Sequence, residues 1–195
     1  MKVFVAGAPA GLGRRLVRQL AAKGHEVLGL SRNAENARRI REFGGEPRSA
    51  DMFDVDSLVG AAEGADVVVR AATAIPPGIR WHARDWDLND RIRCDGTRAL
   101  TACAARVHAK LYAQEGIVWV AVPADGAPFD ESSPVVPRLW FGSAADSEMI
   151  AREAGARGGF EVATLRFGAF YCADFAVFTG EAALGPIFEL GVPLT

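Results

Sequence analysis

Residues 3–13 read VFVAGAPAGLG, and this stretch decides the fold of the 195-residue chain. Residues 3–6 are a short run of β-forming residues that is followed by Gly7. Apolar residues then recur at the spacing of one face of a helix, and Gly24 ends this pattern. The residues are Leu12, Leu16, Val17 and Leu20. The order is therefore strand, glycine-rich turn, helix.

Three glycines, Gly7, Gly11 and Gly13, stand in this turn. Glycine there lets the backbone approach a pyrophosphate, and the N–H groups at the start of the next helix point at it. The same glycines would also serve an ordinary tight turn. Their place after a β-rich run and before an amphipathic helix meets the requirement for a dinucleotide-binding loop. We therefore predict a dinucleotide site over residues 7–13.

The alternation of strand and helix continues along the chain. Further strands are predicted over residues 26–30, 47–50, 66–69, 117–122 and 162–167. Further helices are predicted over residues 34–43, 55–62, 89–109 and 143–156, the last with Ser143 as N-cap. Six strands alternating with helices predict an α/β fold, a Rossmann-type doubly wound parallel sheet with helices on both faces.

Composition and charge narrow the function classes. Twenty-two basic residues face 24 acidic ones, which gives a net charge of −2 and no positive field for nucleic acid. The apolar opening is too short for a signal peptide, and no uninterrupted run is long enough for a membrane helix. The cysteines, Cys94, Cys103 and Cys172, show no CxxC spacing, which argues against a disulfide framework or a metal site. We expect a cytoplasmic protein without nucleic-acid or membrane partners.

The sequence resembles the short-chain dehydrogenase/reductase superfamily, in particular its extended, NAD(P)-dependent epimerase/dehydratase-like branch. The resemblance runs from Met1 to about Tyr171. Besides the glycine loop it rests on GHEV at 24–27, Asp51, GADVVV at 64–69 with Ala71-Ala72, DGTRAL at 95–100, and LRFG at 165–168 with Phe170-Tyr171. Ala10 departs from the branch, which usually has the middle glycine there, and Gly11 gives the spacing more often seen in shorter members.

The resemblance implies a nicotinamide dinucleotide as cofactor and a set of residues that contact it. The pyrophosphate would lie on the loop residues Gly7, Pro9, Ala10, Gly11, Leu12 and Gly13. Asp51 and Met52 would contact the adenine. Ala71, Ala72 and Thr73 would border the ribose and nicotinamide side. Outside the loop, these residues could also be a solvated acid and small packing residues.

The end of the second strand distinguishes NAD from NADP. An acidic residue there would bind the ribose hydroxyls of NAD, whereas Ser31 and Arg32 offer a hydroxyl and a guanidinium for a 2′-phosphate. Arg14 could add to the same pocket. We predict NADP, although Arg32 could also stack on the adenine of NAD.

The resemblance also implies catalytic groups that this sequence lacks. Members of the superfamily transfer hydride with a Tyr-x-x-x-Lys pair after the fifth strand and a serine or threonine at that strand's end. The chain has two tyrosines, Tyr112 and Tyr171, and neither begins such a pair. By position, Phe141 stands in the tyrosine's place and Ala145 in the lysine's. The predicted fifth strand ends near Pro123 without a hydroxyl.

Substitute groups would have to carry any acid–base chemistry. His82 is the first candidate, because it lies in the long irregular stretch over residues 74–88 and histidine titrates near neutral pH. The other polar candidates are Asp125, Asp130, Glu131, Ser143, Asp146 and Glu148. Each of them also fits an ordinary solvated residue or helix cap.

We predict a dinucleotide-binding domain over residues 1–171. Residues 172–195 would be the start of a shortened substrate region, with the substrate domain largely absent. Three functions stay open: an oxidoreductase or epimerase relative with an atypical active site, a non-catalytic cofactor-binding or redox-sensing protein, and an enzyme that reuses the pocket for a non-redox isomerisation or cyclisation. A homodimer is possible, and the substrate is not indicated.

Overall fold

The sheet has six parallel strands. The computed structural model describes residues 1–76, 82–123, 125–135 and 141–168. The strand order is β3-β2-β1-β4-β5-β6. The strands are β1 (Lys2–Ala6), β2 (Glu26–Ser31), β3 (Glu46–Ser49), β4 (Val67–Arg70), β5 (Leu111–Ile117) and β6 (Glu161–Phe167). This architecture confirms the predicted doubly wound α/β fold.

Helices cover both faces of the sheet. They are α1 (Gly11–Ala22), α2 (Ala34–Glu42), α3 (Val55–Ala61), α4 (Asp87–Arg91), α5 (Thr97–Arg106) and α6 (Gly142–Gly158). A π-helical segment, Ile92–Gly96, joins α4 to α5. Among the described residues, no helix is both long enough and apolar enough to cross a membrane.

Alternation along the strands divides the core into two layers. Val3 and Val5 of β1 pack with Val17 of α1 and Ile40 of α2 on one face. Phe4 lies on the other face, in the larger cluster that includes residues of α3, α5 and α6. Successive side chains of a strand point to opposite faces, so each buried strand needs apolar residues at nearly every position.

The fifth strand was predicted at the wrong place. It occupies Leu111–Ile117, and Val118–Val120 forms a 3-10 turn after it. The strand contains Gln114 and Glu115, whose polarity concealed it, whereas the apolar run that follows begins with a partly buried 3-10 turn. The corrected strand still ends without a serine or threonine.

Two helix predictions also need correction. The helix predicted over residues 89–109 is interrupted by the π-helical segment. Ser143 does not cap α6, because the N-cap residue is Phe141 and the Ser143 hydroxyl instead donates to Asp90 Oδ1 at 2.6 Å. The predicted domain boundary at residue 171 and the segment 172–195 lie outside the described residues.

The sheet order places a crevice beside β1. The chain moves from β1 to β2 and β3 on one side and returns to β4 and β5 on the other. In open parallel sheets, ligands bind at this reversal point, outside the carboxyl ends of the strands. The loop after β1 lies there.

Candidate functional site

The glycine loop closely approaches the end of β4. Gly7 has a φ of +95°, which disfavours other residues, and a Cβ at this position would lie 2.5 Å from the Ala72 backbone nitrogen. A Cβ at Gly13 would overlap the carbonyl group of Gly7. Both glycines are therefore required by contacts between backbones, and the loop forms a cradle with little spare space.

The first turn of α1 faces this cradle without a side-chain cap. Its N-cap is Ala10, which makes no side-chain hydrogen bond, and the turn has no acidic residue. The first amides of an α-helix have no partner within the helix and carry the positive end of its dipole. Leu12 packs against the core, and Pro9 is half-buried. The turn is thus suited to a phosphate group.

The end of β2 presents a free cation. The Ser31 hydroxyl is buried and donates to the Asn33 carbonyl at 2.8 Å, so its one donor is already in use. The Arg32 side chain is exposed and has no ion-pair partner among the residues that the structure describes. Of the two residues predicted to hold a 2′-phosphate, Arg32 is the one with donors available.

The loop after β3 contains Asp51 and Met52, the two residues predicted to contact the adenine. Asp51 is exposed, and its Oδ1 accepts a hydrogen bond from the Phe53 backbone at 2.9 Å. The Met52 side chain is buried in the core, so contact with an adenine would have to come from its backbone. Both residues follow β3, which pairs with β2.

The segment after β4 borders the other side of the crevice. Ala71 is buried, Ala72 is half-buried and Thr73 is exposed. The Ala71 amide donates to the Ala6 carbonyl at 2.8 Å, which continues the pairing of β4 with β1. Beyond this bond the segment leaves the sheet.

Buried charges lie directly behind this segment. Arg70 is fully buried, and its Nη2 donates to the Glu115 carbonyl at 2.7 Å, with Nη1 at 3.7 Å from Glu115 Oε2. Burial raises the pKa of Glu115, while the charges of Arg93 and Arg70 oppose that change. Burial also lowers the pKa of Arg93. Sequence reasoning missed these residues, although a charged residue inside or directly after an apolar strand was a visible signal.

Apolar groups fill the start of α6. Phe141 stacks on Trp119 with 6.1 Å between ring centroids, and Ala145 is buried with Ile117 and Val120. Neither side chain can donate or accept a proton. The positions that the resemblance gives to tyrosine and lysine therefore lie in a hydrophobic cluster.

The other predicted acid–base candidates have structural partners or lie on the surface. His82 is exposed at the start of a 3-10 helix, where its backbone N–H donates to Asp85 at 2.8 Å. Glu148 is buried and accepts two hydrogen bonds from Arg166, at 3.0 and 2.8 Å. The hydroxyl groups of Ser132 and Ser133 bind the carboxylate of Asp130. The remaining candidates, Asp125, Glu131 and Asp146, are exposed.

A cavity of about 620 Å³ lies along β6. Its walls include Phe129, Asp130, Arg152 and Arg166. None of its lining residues belongs to the predicted cofactor site. The cavity and the predicted cofactor site therefore share no residue.

Comparison with known proteins agrees with this geometry. The family model for NAD(P)H-binding domains matches residues 7–166, from the first glycine of the loop to the end of the sheet. The chain belongs to this NAD(P)H-binding family. Solved structures of a UDP-N-acetylglucosamine 4-epimerase and of a short-chain dehydrogenase/reductase superfamily protein share the fold of this chain, at 19% and 22% sequence identity, and this agrees with the fold that the resemblance implies.

Two curated proteins and one solved structure illustrate the kinds of protein to which the chain is similar. A 4-hydroxy-2-methyl-3-oxo-4-farnesyl-3,4-dihydroquinoline-1-oxide ketoreductase from Stigmatella aurantiaca is 30% identical over 164 residues, 81% of this chain and 47% of the relative. The photosystem II assembly factor Ycf39 from Synechocystis is 35% identical over 74 residues, 38% of this chain and 23% of the relative. The UDP-glucose 4-epimerase from Thermotoga maritima shares the fold, with a TM-score of 0.76, 17% identity, and coverage of 96% of this chain and 62% of that one. The chain thus spans less than half the length of these two curated relatives.

Proposed function

We propose that this NAD(P)H-binding chain uses NADP(H) and belongs to an oxidoreductase whose active site is atypical, without the tyrosine–lysine acid–base pair. The observation that carries the proposal is the backbone cradle of Gly7 and Gly13 against Ala72, under the uncapped first turn of α1. Glycine at these two positions supports the proposal because it lets a phosphate approach the backbone amides of the loop and of the first turn of α1.

Each part of the crevice has a separate task in this proposal. The backbone amides of the glycine loop would hold the pyrophosphate, and the Arg32 guanidinium would hold the 2′-phosphate of the adenosine half. Ala72 and Thr73 would border the nicotinamide half. The bound cofactor would supply the hydride. The chain would supply orientation and exclude water at the buried end of the crevice.

A second candidate is a non-catalytic cofactor-binding or redox-sensing protein. The apolar cluster of Phe141 and Ala145 favours it, because hydride transfer to a carbonyl needs a proton donor near the acceptor oxygen. The ketoreductase among the relatives supports the oxidoreductase proposal, whereas the assembly factor has a name that specifies no redox reaction.

Titration calorimetry with NADPH and NADH tests the proposal. We expect the wild-type chain to bind NADPH, and we expect Gly13→Val to abolish binding because the side chain would overlap the loop backbone. Gly60→Ala is the matched control, since a Cβ at Gly60 of α3 meets nothing within 4 Å. Circular dichroism checks that each variant is folded. A wild-type chain that binds neither nucleotide would refute the proposal.

A further inference from the structure

Four buried polar side chains with unused hydrogen-bonding atoms surround the ends of β4 and β5. Arg70, Asn89, Arg93 and Glu115 are between 0% and 6% exposed. The atoms Arg70 Nε, Asn89 Nδ2, Arg93 Nη1 and Glu115 Oε2 are buried without a hydrogen-bond partner among the described residues. Burying such groups is unfavourable, and an apolar set of the same size would stabilise the fold as well or better. Their placement therefore calls for a role other than stability.

Two of these side chains hold the backbone of the segment after β4. Arg70 Nη1 donates to the Ala72 carbonyl at 3.3 Å, and Asn89 Oδ1 accepts from the Ala74 amide at 3.0 Å. Glu115 fixes Arg70 in turn, through its carbonyl at 2.7 Å and its carboxylate at 3.7 Å. The segment over residues 71–74 is thus attached from both ends.

This attachment matters because the segment has no regular structure. The last sheet bond is the one from the Ala71 amide, and Ala72 touches the glycine loop so closely that Gly7 has no room for a side chain. A shift of a few tenths of an ångström in Ala72 would therefore move one wall of the dinucleotide crevice.

The topology decides which half of a dinucleotide this wall would contact. Arg32 and Asp51 follow β2 and β3 and lie on one side of β1, whereas β4 lies on the opposite side. A dinucleotide bound across the reversal point has its two halves on opposite sides of the first strand. With the 2′-phosphate half over β2, the nicotinamide half lies over β4.

We infer that Arg70 and Asn89 are positioning residues for the nicotinamide half of the cofactor. They act through the backbone of residues 71–74 and do not touch the cofactor themselves. This inference rests on the proposed function, and it adds two residues that neither the glycine loop nor the Arg32 position would indicate.

The test compares a whole cofactor with half of it. Asn89→Ala removes the acceptor for the Ala74 amide, and we expect it to weaken NADPH binding by roughly 3- to 10-fold, the range for one lost hydrogen bond. Binding of adenosine 2′,5′-bisphosphate, which lacks the nicotinamide half, should not change. Amide hydrogen exchange in the cofactor-free chain should show faster exchange at Ala74.

Three further variants separate positioning from general loosening. Asn89→Asp keeps an acceptor oxygen, so it should restore both the Ala74 protection and the NADPH affinity. Thr101→Ala removes another buried polar side chain, from the neighbouring helix α5, whose hydroxyl donates to the Thr97 and Arg98 carbonyls of the same helix, and it should leave the affinity ratio unchanged. Arg70→Lys keeps the charge but has one nitrogen in place of the two that donate to the Ala72 and Glu115 carbonyls, so we expect it to change the affinity ratio in the same direction as Asn89→Ala. It also provides the test if Asn89→Ala does not fold.

Two results would overturn the inference. One is faster exchange at Ala74 with unchanged NADPH affinity, and the other is an equal loss for NADPH and the bisphosphate. A wild-type chain that binds neither nucleotide would instead refute the proposed function, while the exchange of Ala74 would still report on the attachment itself.

Discussion

Arg32 carries the predicted choice between the two cofactors. It is exposed at the end of β2, and the Ser31 hydroxyl beside it already donates to a backbone carbonyl. We expect Arg32→Ala to weaken NADPH binding by roughly 1.5–3 kcal/mol, the range for a hydrogen bond to a charged group, and NADH binding much less. Calorimetric titration of both nucleotides measures the difference.

Arg41→Ala is the matched control for this prediction, because Arg41 is an exposed arginine in the last turn of α2. It should leave both affinities unchanged. Equal losses of NADPH and NADH affinity in Arg32→Ala would show that Arg32 stacks on the adenine or only faces solvent, and the preference for NADP would then be wrong.

Residues differ in how far the sequence alone predicts their role. The glycines of the loop could be identified because their requirement is local: each allows a backbone approach within one turn. Arg70 is visible in the sequence as a charged residue at the end of an apolar strand, but its role does not follow, because its partner Glu115 lies 45 residues away and its burial depends on how β4 pairs with β5. Asn89 is a further example, since its side chain bonds a backbone 15 residues earlier.

The same distinction holds for the strands: local sequence determines the position of some of them, and contacts with distant parts of the chain determine the position of others. Strands β1, β2 and β4 each contain an apolar run, and their positions follow from the sequence to within a residue or two. Strand β5 contains Gln114 and Glu115, which are stabilised by partners on other elements, including Thr97 and Arg70. The apolar run just after it begins with a 3-10 turn of which Val120 is buried, and an apolar run by itself does not distinguish a strand from another packed segment.

Asp66 links the starts of three strands and makes the sheet sensitive to acid. Its carboxylate accepts from the Lys2 backbone at 2.8 Å and lies 3.6 Å from the Lys110 ammonium. The Lys2 hydrogen bond and the charge of Lys110 hold the pKa of Asp66 below its ordinary value of 3.8. The folded state therefore binds this proton at a lower pH than the unfolded state, and the stabilisation is lost as the pH falls through the folded pKa.

We expect Asp66→Asn to lose this component of the pH dependence. Its urea midpoint should lie below that of the wild type at neutral pH, and the two midpoints should converge as the pH falls below 3.8. Glu63→Gln, at an exposed carboxylate nearby, is the control and should follow the wild-type curve. A constant difference between wild type and Asp66→Asn at every pH would contradict the argument.

At the scale of the whole molecule, the sheet supports dinucleotide binding, whereas the positions expected to carry the catalytic groups do not support acid–base catalysis. The fold and the cofactor loop match an NAD(P)H-binding family over residues 7–166, so dinucleotide binding depends on features that the chain retains. Acid–base catalysis depends on side chains, and the start of α6 presents Phe141 and Ala145, which cannot transfer a proton.

The purified chain is therefore expected to bind nicotinamide cofactor and to show negligible hydride transfer to generic carbonyl compounds. A missing acid–base group lowers rates by roughly 10²- to 10⁴-fold. The double variant Phe141→Tyr with Ala145→Lys should restore little, because Ala145 is only 6% exposed and a lysine there would place an ammonium against Ile117 and Val120. NADPH absorbance measures turnover, and calorimetry on the same samples measures binding. Robust turnover by the unmodified chain would show that another group donates the proton, and His82→Ala would then test the exposed imidazole directly.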